Sequence, residues 1–126
     1  MVLLENCEHI LPLQPGSKVA LYGSGAVKTI KGGSGSGDVN ERETISIWAG
    51  MKNAGYDIVN EDWLSEYKCL YEIEKRAWRD RILEITGNRE HAAFFRTFAS
   101  HPFQIPAGSV PDVETVKKYE CDIAFY

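Results

Sequence analysis

Read for its apolar and polar positions, the chain gives its first ordered signal just after Pro15 and Gly16. The run KVALY over 18–22 is short, continuous and apolar behind a turn, the pattern of a strand buried on both faces in a parallel sheet. A stretch almost without apolar side chains follows, and then a helical period. Ile45, Trp48 and Met51 share one face, Asn40 with Glu43 makes a capping box, and Gly55 supplies a left-handed stop, which predicts a helix over 41–54. The run YDIVN over 56–60 predicts a second strand. Asn60, Glu61 and Asp62 then open a long helix whose first acids suit the positive end of the helix dipole, and Gly87 ends it. Along it Trp63, Tyr67, Leu70, Tyr71, Trp78, Ile82 and Ile85 recur at helical spacing, opposite Glu66, Lys68, Glu72, Lys75, Arg76 and Arg79. Aromatic faces stack on pyranose rings, but a stripe at this period reads first as core and the charged face as solvated.

The segment HAAFFRTFASHP over 91–102 has a second helical pattern, and a Pro/Gly connection leads from it to a short helix opened by Pro111 and Asp112 and ending near Tyr119. CDIAFY over 121–126 predicts a third buried strand. Strands alternating with helices imply βαβ units, so the expected fold is α/β: three layers, a mostly parallel sheet of about three strands in the order 2-1-3, and flanking helices. At 126 residues the chain fits one domain, 1–126, able to bury a core without staples.

Composition narrows the classes of function. A net charge of −4 without a basic block argues against a nucleic-acid partner. Cys7, Cys69 and Cys121 are odd in number and lack ligand spacing, so they read as reduced thiols in a cytoplasmic protein, not as a disulfide frame or a zinc site. No apolar run approaches the ~20 residues of a membrane span, and the opening MVLLENCEHILPL carries acids where an export signal would be basic. His9, His91 and His101 are scattered without a partner at ligand spacing, so neither a metal nor a cofactor is expected.

The remaining candidate chemistry lies in the loop after the first strand, IKGGSGSGDVNER over 30–42. Ligands of open α/β sheets gather at the carboxyl ends of the strands, which is where this loop begins. A dinucleotide fingerprint fails, because Lys28 stands where the third glycine is needed and no helix is expected to open there. A Walker A loop fails too, since Lys28-Thr29 has no preceding glycine and Lys31 is followed by Gly32. A nest of backbone amides for phosphate stays open. Asp38 is the only carboxylate among residues 31–38, whereas glycoside hydrolysis needs two, so Asp38 reads as a turn residue or a substrate contact and not as a catalytic pair.

The segments MVLLENCEHILPL and KVALYGSGAVKTIKGGSGSGDVNERETISIWAGMKNAGYDI resemble the bacterial glycoside hydrolase family 3 enzymes, which include β-glucosidases. The resemblance rests on a KGG-[ST]-GSGDVN run preceded by VLLxN…LPL and ALYG. It covers roughly the first 60 residues well; 61–110 match only in character, as a helical insertion, and VKKYECDIAFY looks like the family's next helix and strand. It implies the first part of an α/β sandwich that closes over a (β/α)8 barrel. In such enzymes the barrel carries the nucleophilic aspartate, and the sandwich supplies an acid/base glutamate in a Gly-Glu-Gly motif after the next strand.

Neither carboxylate has a counterpart here, so the resemblance assigns no catalytic residue and implies that the chain is inactive alone. What it transfers is the loop beside the sugar pocket: Lys31, Gly32, Gly33, Ser34, Gly35, Ser36, Gly37 and Asp38. The expected ligand is therefore a carbohydrate of the β-glucoside type, bound in the full enzyme. An uncovered third strand would also let copies of the chain associate, with no nucleic acid or membrane as partner. The alternative reading is a free-standing α/β module for a small ligand or a protein.

Overall fold

The computed structural model describes residues 6, 9–30, 44–87 and 91–126. In chain order the elements are β1 (Lys18–Leu21), α1 (Ser24–Val27), α2 (Ile47–Asn53), β2 (Asp57–Ile58), α3 (Glu61–Thr86), α4 (His91–Ser100), α5 (Val113–Lys118) and β3 (Ile123–Phe125). The expected order is the observed one: a three-stranded sheet, β2-β1-β3, with both pairings parallel and helices around it. Val19 stands opposite Ile58 on one side and Ile123 on the other. After the exposed Lys18 the central strand is apolar because both its neighbours are strands and both its faces are covered: Val19, Ala20 and Leu21 are buried, as is Tyr22 just beyond it.

Two compact units make up the chain, one from residues 1–61 with 111–126 and the other from 62–110. The first holds the sheet. Its entrance is fastened by Asp122, whose carboxylate accepts the Lys18 amide at 2.8 Å while its own amide donates to the Lys18 carbonyl at 2.8 Å. Upstream, the Asn6 carboxamide bonds both backbone groups of Leu11, at 2.7 and 3.0 Å, and so folds the asparagine of VLLEN against LPL.

In the second unit the aromatic stripe of α3 is core, and its cover is the chain's own return. Phe103 packs edge-on against Tyr71 at 5.3 Å, and Trp78 meets Phe98 and Phe103 at 5.2 and 5.6 Å. The polar atoms of the same rings tie down the extended segment after α4: Trp78 Nε1 donates to the His101 carbonyl at 2.7 Å, Tyr67 Oη to the Pro106 carbonyl at 2.9 Å, and Trp63 Nε1 to Ser109 Oγ at 2.9 Å. Buried Tyr and Trp behave this way because each has one polar atom that must keep a partner when water leaves.

Several expectations are corrected. The second helix begins at Ile47, not at 41: Ser46 is extended (φ −71°, ψ 163°) and its hydroxyl accepts the Ala49 amide, so the cap lies six residues later than Asn40, which falls outside the described residues. Ile45 therefore precedes the helix and is exposed, while Trp48 and Met51 remain half-buried. A helical turn does open after β1, at Ser24, and it buries Ala26 and Val27. On α3, Ile85 is half exposed and Leu70 half-buried, whereas Leu64, which was not assigned to the stripe, is fully buried. The third strand is a half-buried edge and not a buried strand, with Phe125 exposed. The helix stops at Gly55 and Gly87 hold, with φ +87° and +56°.

Candidate functional site

The carboxyl edge of the sheet is built by the ends of its three strands. β1 leaves through Tyr22 and Gly23 into the single turn of α1, and the Tyr22 amide donates to the Phe125 carbonyl at 2.8 Å, so β3 is held level with β1 as far as its last residue. Tyr126 stacks on Tyr22, with ring centroids 5.0 Å apart and planes 18° from parallel.

On the other side β2 is only two residues long, and a side chain continues it. Asn60 is completely buried; its Oδ1 accepts the Leu21 amide at 2.9 Å and its Nδ2 donates to the Leu21 carbonyl at 2.6 Å. One carboxamide thus acts as an extra rung of sheet. The sequence pattern put Asn60 at the start of the long helix, and α3 does start at Glu61, but the Asn60 side chain turns to the sheet.

A second polar side chain works where the glycine-rich loop departs. Thr29 Oγ1 donates to the Gly25 carbonyl at 2.8 Å and accepts the Ile47 amide at 2.9 Å. The first four amides of any helix lack an intrahelical acceptor, and α2 has two of them met by hydroxyls, Ile47 by Thr29 and Ala49 by Ser46.

Lys31, Gly32, Gly33, Ser34, Gly35, Ser36, Gly37 and Asp38 lie outside the described residues. Both flanks of the loop, Thr29 and Ile47, belong to the unit that holds the sheet, and the loop departs a few residues after β1. Neither Asn60 nor Thr29 was singled out as a site residue from the sequence; an Asn directly after a strand and a Thr just before a glycine run were the available signals. Among the described residues no group of His, Cys, Asp and Glu is arranged to hold a metal ion. His101 Nδ1 lies 3.0 Å from the Thr97 carbonyl and from Ser100 Oγ at the end of α4, a helix-end arrangement. Cys69 and Cys121 are free thiols. No helix among the described residues is long and apolar enough to cross a membrane.

A family model, the glycosyl hydrolase family 3 C-terminal domain, matches residues 1–125. The chain belongs to this family. Residues that the sequence resembles only in character, 61–110, thus fall within the matched span of the family 3 C-terminal domain. Among curated proteins the chain is similar to Beta-glucosidase A of Butyrivibrio fibrisolvens, 41% identical over 58 residues. That stretch is 46% of this chain and 7% of the relative, so the family 3 domain described here corresponds to a small part of that protein. No solved structure matches the chain. The family match and the similarity to a β-glucosidase agree on a glycoside hydrolase-related role.

Proposed function

We propose that this chain is part of a β-glucosidase-like glycoside hydrolase, which hydrolyses O-glycosyl bonds, and that it contributes the loop over 31–38 to the wall of the sugar site. The observation that carries the reading is the family match over residues 1–125, and the similarity to a β-glucosidase supports the substrate class. In this reading Gly32, Gly33, Gly35 and Gly37 let the backbone approach the sugar closely, because no Cβ intervenes. Lys31, Ser34, Ser36 and Asp38 bond sugar hydroxyls.

Retaining glycosidases place two carboxyl groups about 5–5.5 Å apart. The loop has one, Asp38, and the 126 residues contain no Gly-Glu-Gly run. The chain alone is therefore inactive, and its chemistry depends on carboxylates supplied by the rest of the enzyme.

Among the described residues β3 is the last strand on its side of the sheet, and the run 121–126 holds one charge, Asp122, and no proline, which supports pairing of two copies through that edge. The test assays the pure chain on an aryl β-glucoside while light scattering reports its mass. An inactive dimer is expected. Hydrolysis by the chain alone would overturn the proposal, and an inactive monomer would move the reading to a free-standing binding module.

A further inference from the structure

From the exposure and charge of α3 we infer that its outward face, centred on Ile73, pairs with the same face of a second copy of this chain, the two helices running antiparallel. The side away from the aromatic core carries a second apolar strip. Ile73 stands two positions beyond the buried Tyr71, which turns it by about 200° around the helix, and at 59% exposure it is the most exposed large apolar side chain of α3. Cys69 and Ala77 lie about one turn to either side on the same face and are exposed as well. Between Glu72 and Arg81 every residue is exposed except the half-buried Trp78, so this stretch is open to a neighbour. Ile73 lines a shallow groove there with Cys69, Glu72, Arg76, Ala77 and Asp80.

Charge selects the occupant. Over 63–74 Glu66, Glu72 and Glu74 outnumber Lys68, and over 75–86 Lys75, Arg76, Arg79 and Arg81 outnumber Asp80 and Glu84. A two-fold pair uses one patch twice, so the patch must complement itself. Antiparallel helices satisfy this condition, because the acidic half of each lies along the basic half of the other, whereas parallel helices set like charge on like. The helix dipole favours acids in the first turn and cations in the last, but the sign changes between Glu74 and Lys75, in mid-helix and beyond the dipole's reach. Small side chains at Cys69 and Ala77 leave room for Ile73 of the second copy. One helix against one helix is a small contact of the transient class. It belongs to the unit over 62–110, whereas the β3 edge belongs to the other unit.

A dilution series of the full chain, followed through its amide resonances, tests the pairing. The resonances of Cys69, Ile73 and Ala77 are expected to move with concentration while Val19 and Ala20 in β1 stay still, and added salt is expected to weaken the pairing several-fold. Ile73→Asp sets a charge at the centre of the contact and is expected to weaken it by about tenfold or more. Two charge variants identify the partner. Glu72→Lys with Glu74→Lys makes both halves of the helix basic, and Lys75→Glu with Arg76→Glu makes both halves acidic. Neither variant is expected to pair alone, and the two mixed in equal amounts are expected to pair as wild type does. Glu72 and Arg76 are also i, i+4 neighbours on their own helix, so the mixture is the decisive sample: it restores charge attraction only between two chains.

Resonances of α3 that ignore concentration in the wild type would overturn the pairing, and so would movement confined to Ile123–Phe125, which would leave the β3 edge as the contact. Association of either charge variant alone as tight as that of wild type, or no association in their mixture, would overturn the antiparallel pair of copies. The sugar-side reading of residues 31–38 is untouched by any of these results, because neither the contact nor the assay involves that loop.

Discussion

Replacing Asn60 by alanine tests the reasoning about the sheet most directly. The Asn60 carboxamide meets both backbone groups of Leu21, at 2.9 and 2.6 Å, in a place where Asn60 is wholly buried and Leu21 is 2% exposed. Removing it leaves an amide and a carbonyl in a dry interior, and each unsatisfied group costs about 1–3 kcal/mol. The sum, about 2–6 kcal/mol, is a large share of the roughly 5–15 kcal/mol that holds a domain together. With a urea dependence of about 1–3 kcal/mol per molar, a mid-range loss of about 4 kcal/mol lowers the midpoint by about 1–4 M.

A second substitution at Asn60 checks the cause. In Asn60→Asp at neutral pH one oxygen still accepts the Leu21 amide, but the other faces the Leu21 carbonyl with no proton to give, so the variant is also destabilised. On acidification the new carboxyl gains a proton, which its oxygen can donate to the Leu21 carbonyl. The gap between Asn60→Asp and wild type should narrow as pH falls, and that of Asn60→Ala should not. Urea unfolding followed by amide exchange at Val19 and Ala20 reads the unit concerned. A cost below about 0.5 kcal/mol for Asn60→Ala, the range of an ordinary surface change, would refute the argument that the carboxamide completes the sheet.

Other substitutions probe the rest of the chain. A Cβ at Gly108 would lie 2.6 Å from Tyr67 Cδ2 and 3.1 Å from Trp63 Cζ2, so Gly108→Ala is expected to destabilise the unit over 62–110 by about 1–3 kcal/mol, the usual cost of overpacking, visible in tryptophan fluorescence during unfolding. The Asp112 carboxyl is held below its ordinary value of 3.8 by hydrogen bonds from the Thr115 hydroxyl and amide. Its folded value is depressed, so the ionised cap contributes fully above the ordinary value and is lost as pH falls through the lowered one; the Thr115 amide shift should report that acid step, and Asp112→Asn should abolish the step while keeping the cap. Lys52 and Glu61 form an ion pair of 2.6 Å between side chains 49% and 43% exposed, so Lys52→Met should change thermal stability by no more than about 1 kcal/mol.

Much of the fold was legible because it follows from local patterns. The apolar run at 18–22 meets the requirement for a strand with neighbours on both sides, and Gly55 and Gly87 end helices because the chain there adopts positive φ. The glycine run between flanking motifs was enough to suggest the family, and the match over residues 1–125 agrees. The start of α2 was not legible, since Asn40 and Ser46 are both competent caps and the choice between them involves an amide at Ile47 that Thr29 satisfies.

By itself, then, the sequence determined the alternation of strands and helices, the apolar face of α3 and the family, since each depends on residues close together in the chain. Only the tertiary structure decided what those faces meet. The Asn60 carboxamide reaches Leu21 across 39 positions, Thr29 reaches Ile47 across 18, and Trp63 finds Ser109 across 46. A side chain such as Asn or Thr can satisfy its hydrogen bonds locally or at a distance at similar free energy, and packing selects the partner by removing water from one of the alternatives.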